Sequence, residues 1–169
     1  MTPGTWMGWS LTEPPNSGSA APVTSYITTD LDLFAPYDLT PLAEVLEGLG
    51  FWAMQTGQRD EGDWSARLGQ VIDNADPEAT ISAMLEAIET LHGEAKALWS
   101  GCSLREFDLG FDCGASPFCF HSGLTHATLS RVASVGAGLR ITLYAPEAIL
   151  PAEQPGETED GNVEAVREE

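Results

Sequence analysis

An α+β domain, with helices covering one face of a sheet, is the architecture that hydrophobic periodicity predicts for this 169-residue chain. Three observations lead there. Some segments alternate strictly apolar and polar, others carry an apolar stripe every three to four residues between capping signals, and together they run in the order β-α-β-β-α-β-α-β. The first six elements match the split βαββαβ, ferredoxin-like arrangement, and a further helix and strand extend it into a two-layer sandwich.

Tyr26 to Phe34 alternates, with Ile27, Thr29, Leu31 and Leu33 on one side and Thr28, Asp30 and Asp32 on the other, as a half-buried strand requires. Thr40-Pro41 reads as an N-cap followed by a proline in the first helical turn; Leu42, Val45, Leu46 and Leu49 form one apolar stripe, and Gly50 supplies a left-handed stop. Residues 51–57 and 64–70 read as two strands around the polar turn Arg59-Asp60-Glu61-Gly62-Asp63. A second helix begins at Asp76-Pro77-Glu78, where the aspartate caps it and the negative charge suits the positive end of its dipole. Its stripe, Ile81, Met84, Leu85, Ile88, Leu91 and Leu98, runs toward Trp99, with Gly93 weakening the later turns. Leu104 to Phe111 alternates again, Phe107, Leu109 and Phe111 opposing Glu106, Asp108 and Gly110. Thr125 reads as an N-cap between the staple residues Leu124 and Leu129, and Gly136 closes that helix. In the last strand, ending at Tyr144, Leu139, Ile141 and Leu143 point inward.

These elements define one domain over 23–146, long enough for a substantial core, and a hydrophobic content of 43% with 20% charged residues is that of a globular chain. Residues 1–22 alternate prolines with Gly, Ser and Asn and read as a flexible arm. Trp6-Met7-Gly8-Trp9 is out of character there, because tryptophan is rarely left to water. It reads either as a segment that packs back on the domain or as a docking peptide for a partner, with Trp6 and Trp9 as anchors. Residues 147–169 read as an acidic disordered tail.

Charge narrows the partners. The chain carries a net −19 with a single lysine, Lys96, and the arm, domain and tail hold −1, −11 and −7 of it. Such a surface repels phosphate backbones and anionic lipid, so direct nucleic-acid binding and membrane association are excluded, and a basic protein partner is favoured. The same composition suits a protein living at high salt, whose acids keep its surface soluble and carry no specific role. No segment approaches the roughly 18 apolar residues of a membrane span. With no basic residue before an apolar run and three cysteines, an odd number, a cytoplasmic protein with reduced thiols is expected.

Leu104-Arg105-Glu106-Phe107-Asp108-Leu109-Gly110, then Gly123-Leu124, Leu129, Ala133, Gly136 and Leu139 to Tyr144, resembles a family of bacterial α+β domains of unknown function that stand beside the immunity proteins. The resemblance implies a closing strand, loop, helix and strand ending in tyrosine, and binding of a partner rather than catalysis. It transfers no catalytic residue.

Candidate chemistry lies in two places. Asp30 and Asp32 share one side of the first strand, and Glu106 and Asp108 one side of the fourth; in a ferredoxin-like order these strands are neighbours. Four such acids either hold a hard divalent cation, as in a metal-dependent enzyme, or form the polar outer face of a one-sided sheet, with Arg140 neutralising part of the cluster. Cys113, Cys119 and His121, with Cys102 and His126 nearby, are zinc-ligand types at a spacing unlike a zinc ribbon, and a thiol activated by His121 or His126 is the nucleophilic alternative. Nucleotide-loop, metalloprotease, nucleophile-elbow and EF-hand patterns are absent, so no cofactor is expected beyond that cation. The reading that best joins these observations is a non-enzymatic, acidic interaction protein that binds a basic partner in the manner of an immunity protein or inhibitor.

Overall fold

Among the described residues nine elements follow one another: β1 (Ser25–Ala35), α1 (Thr40–Glu47), β2 (Phe51–Gln58), β3 (Trp64–Gln70), α2 (Pro77–Glu89), α3 (Gly93–Gly101), β4 (Leu104–Asp112), α4 (His126–Ser134) and β5 (Gly138–Tyr144). They belong to a computed structural model that describes residues 22–70 and 76–145, and they make an α+β fold with one mixed five-stranded sheet and four helices. The strand order is β2-β3-β1-β4-β5. Every neighbouring pair is antiparallel except β4 and β5, which run parallel.

One face of the sheet holds the core. Leu31 and Leu33 of β1, Leu68 of β3 and Phe107 of β4 are fully buried, clustered with Leu42 and Leu46 of α1, the Ile81, Met84, Leu85 and Ile88 stripe of α2, Trp99 of α3 and Val132 of α4. Each such aliphatic or phenyl side chain contributes about 1.5–3 kcal/mol through lost water contact. The Trp99 indole also donates to the Val135 carbonyl at 2.9 Å, which ties α3 to the end of α4.

The caps follow from the sequence. Asp76 accepts from the Glu78 and Ala79 amides at the start of α2, and Thr125 accepts from the Thr128 amide at the start of α4. Glu78 joins these two starts, because its carboxylate accepts from the Thr125 amide and hydroxyl, both at 2.9 Å, and from the Thr128 hydroxyl. Those bonds, that from Thr128 first, hold the Glu78 carboxyl below its usual range.

Several expectations are corrected. The second helix is two: α2 ends at Glu89, and α3 restarts at Gly93, whose φ of +55° lies in the left-handed region that glycine enters without penalty. The observed order is therefore β-α-β-β-α-α-β-α-β. Thr40 does not cap α1; Leu39 stands at that position without a side-chain bond, and the Asp38 carboxylate takes the Thr40 amide at 2.8 Å. Val45 of the same helix and Leu49, in the turn that follows it, are exposed, the buried side being Leu42, Ala43 and Leu46. A register shift between Tyr26 and Thr28 breaks the alternation, leaving Ile27 exposed while the Tyr26 hydroxyl meets Thr29 and Thr80. Finally, Leu139, Ile141 and Leu143 pair with Phe107, Leu109 and Phe111 and so share their face, yet they stay exposed. β5 is the edge strand, and the helices pack chiefly on β1, β2 and β3.

Candidate functional site

Strand register assembles a charged cluster on the face opposite the core. Asp30 lies across from Asp108 and Asp32 across from Glu106 on the β1–β4 pair, so the four acids singled out from alternation alone are neighbours. From the other side of β1, Arg67 of β3 is the partner of Asp32, and from β5 Arg140 is the partner of Asp108. Opposed residues share a face, so both guanidiniums lie over the acids.

The contacts are close. Arg67 grips Asp32 with two bonds of 2.7 Å, from Nε to Oδ1 and from a terminal nitrogen to Oδ2, the two-pronged geometry that suits a planar guanidinium. Arg140 bonds Glu106, donates to Asp32 at 3.3 Å and stands 3.6 Å from Asp108. Thr142 donates to Asp108 at 2.6 Å, and Thr28 donates to Asp30 at 3.3 Å. The Asp32 side chain is only 7% exposed, whereas those of Arg67 and Arg140 are each 42% exposed, so the guanidiniums form the wet roof of a carboxylate floor.

Four carboxylates against two guanidiniums leave this cluster net negative. Asp30 bears the consequence: burial, opposed by Arg67, and the nearby Asp32 and Asp108 charges push its carboxyl above the usual aspartate value. Arg67 is raised as well, its hydrogen bonds to Asp32 holding the proton more firmly than usual.

Aromatic side chains flank the charges. A Cβ on Gly69 of β3 would lie 2.6 Å from the Trp52 indole nitrogen and 2.8 Å from Met54, so the bare glycine lets Trp52 of β2 lie across β3. A Cβ on Gly110 of β4 would similarly meet the Tyr144 ring at 3.4 Å. Trp52 and Tyr144 are each about half exposed. At one end of β1 the Arg59 guanidinium sits 4.6 Å above the Phe34 ring.

Alternation predicts the acids, but it says nothing of Arg67 as their partner. The signal was present: in Trp64-Ser65-Ala66-Arg67-Leu68, Arg67 is out of phase with the buried Ala66 and Leu68 and must face away from the core. The expected neutralising role of Arg140 is what the distances describe. For the divalent-cation reading, the Asp32, Glu106 and Asp108 oxygens are engaged by guanidinium and hydroxyl groups, and among the described residues no group of three or more His, Cys, Asp or Glu side chains has the geometry to hold a metal ion.

The cysteine–histidine set is dispersed. Cys119 Sγ lies 3.3 Å from His121 Nε2 on the exposed loop between β4 and α4. Cys113 is half buried where its amide meets the Tyr144 carbonyl, and Cys102 is buried near Tyr37. Burial raises the Cys102 thiol above its ordinary value, the opposite of what a nucleophile needs. Trp6 and Trp9 lie outside the described residues.

Compared with protein-family models, curated proteins and solved structures, the chain matches none.

Proposed function

We propose that this chain is an interaction protein whose open sheet face receives a cationic segment of a protein partner, in the manner of an immunity protein or inhibitor. The carrying observation is the imbalance on that face, where Asp30, Asp32, Glu106 and Asp108 outnumber Arg67 and Arg140. A guanidinium or ammonium arriving from a partner supplies the missing positive charge beside Asp30, whose carboxyl is raised first by burial and then by the Asp32 and Asp108 charges. Trp52 and Tyr144 stand where they can add apolar contact and stack on an arriving arginine. The strand order β2-β3-β1-β4 with its antiparallel pairings supports reading the scaffold as a two-layer, ferredoxin-like core, with β5 as the extension.

A decaarginine peptide is a direct probe. Binding is expected to weaken at least about tenfold between 0.05 and 0.5 M salt, and to weaken again when Asp30→Asn and Glu106→Gln are combined. The control is Glu157→Gln with Glu159→Gln, which removes the same charge from the tail. Equal losses in the two double variants would refute a site on the sheet and leave only the general field of an acidic chain.

A further inference from the structure

The helix-side surface of β5 borders a cavity of about 330 Å³ whose walls include Phe120, Leu124, Leu129, Leu139, Ile141 and Leu143, with no charged residue in its lining. Ile141 and Leu143 are 66% and 64% exposed, and apolar surface left open beside an uncovered strand edge is costly in water and prone to self-association. Something of like chemistry belongs there. Thr24, itself part of the lining, is where the N-terminal arm enters. The entry is fixed: the Thr24 amide donates to the Ser116 carbonyl at 2.7 Å and the Ala115 amide to the Pro22 carbonyl at 2.9 Å. A Cβ on Gly114 would lie 2.0 Å from that Pro22 carbonyl, so the chain can enter here only beside a glycine.

We infer that this groove is the seat of the chain's own N-terminal arm, with the Trp6 and Trp9 indoles covering Ile141 and Leu143. Three arguments select this occupant, and none depends on the acidic-face reading. Of the two terminal segments the arm is the one that matches the groove in charge, with Glu13 its sole ionisable side chain against a net −7 in the C-terminal tail. The 14 residues between Trp9 and Thr24 can reach about 45 Å at most, more than the roughly 23 Å length of a seven-residue strand. Such a tether gives an effective concentration in the millimolar range, far above that of any second chain, and two indoles supply the large apolar area that the exposed leucines and isoleucine lack.

The test uses the full chain labelled with 5-fluorotryptophan, whose five ¹⁹F resonances are assigned with Trp6→Phe and Trp9→Phe. In the wild type at least one arm resonance is expected to be shielded from a soluble gadolinium chelate, independently of protein concentration. Ile141→Ser combined with Leu143→Ser changes two exposed side chains and should abolish that shielding while the Trp99 resonance stays unmoved. Arm resonances fully open to the chelate in the wild type would overturn the inference. Shielding that survives the groove variant, or that disappears on dilution as binding to a second copy would, overturns it equally.

Discussion

Replacing Arg67 with alanine isolates the interaction that holds the charged face together. The Asp32 carboxylate would lose two bonds of 2.7 Å and keep only the 3.3 Å contact to Arg140, while Glu106 and Asp108 remain beside it. Breaking a fully buried ion pair from one side costs about 3–5 kcal/mol, and breaking an exposed one about 0–1 kcal/mol. Here the acid is 7% exposed and the base 42%, and a second guanidinium stays within reach. The cost should therefore fall between those limits, at about 2 kcal/mol. For a domain of this size that lowers Tm by about 6–10 °C. Urea and thermal unfolding at pH 7, followed by circular dichroism, measure both quantities. Asp32→Leu together with Arg67→Met removes both charges at similar volume and should recover most of the loss, since the penalty is that of an uncompensated buried carboxylate. A single variant within about 0.5 kcal/mol of wild type, or a double variant no better than the single, would refute the view that Arg67 is there to neutralise Asp32.

Other expectations follow from neighbouring contacts. Asp30→Asn should stabilise the fold at neutral pH, because a carboxyl raised in the folded state contributes stability that is lost as pH rises through its folded value; unfolding at pH 7 should show the gain and unfolding below the ordinary value of 3.8 should not. Glu78→Ala deprives Thr125 and Thr128 of their shared acceptor and should cost about 1–2 kcal/mol in urea unfolding at pH 7. That cost should shrink under strongly acidic conditions, since the contribution of a lowered carboxyl is lost as pH falls through its folded value. Trp99→Phe keeps an aromatic ring in the core but leaves the Val135 carbonyl without its donor, for a loss of about 1–3 kcal/mol readable in the same assay. Gly93→Ala forces a side chain into a left-handed conformation and should lower stability by about 1 kcal/mol, whereas alanine at an ordinary helical glycine would raise it.

The acidic face and the apolar groove lie on opposite sides of the same two strands. β4 and β5 present Glu106, Asp108 and Arg140 to one side and Leu109, Ile141 and Leu143 to the other, as the two-residue period demands. A groove filled by the arm would leave the charged side as the accessible one, and the edge of β5 would be shielded from pairing with other chains.

Much of this molecule is legible residue by residue. Alternation in Leu31, Leu33, Phe107 and Leu109 places the core on one face and the four acids on the other, and Asp76 and Thr125 mark their helix starts correctly. These signals are local: a cap reaches two or three residues ahead, and a strand's facing repeats every second residue, so neither needs knowledge of distant chain. What the tertiary arrangement added is of another kind. That Arg67 rather than a cation meets Asp32, that a shift at Ile27 turns Tyr26 toward Thr80, and that β5 takes the edge where its inward face goes uncovered all depend on which strands adjoin and in what register. Those choices are settled by contacts between residues scores of positions apart, which periodicity along the chain does not encode.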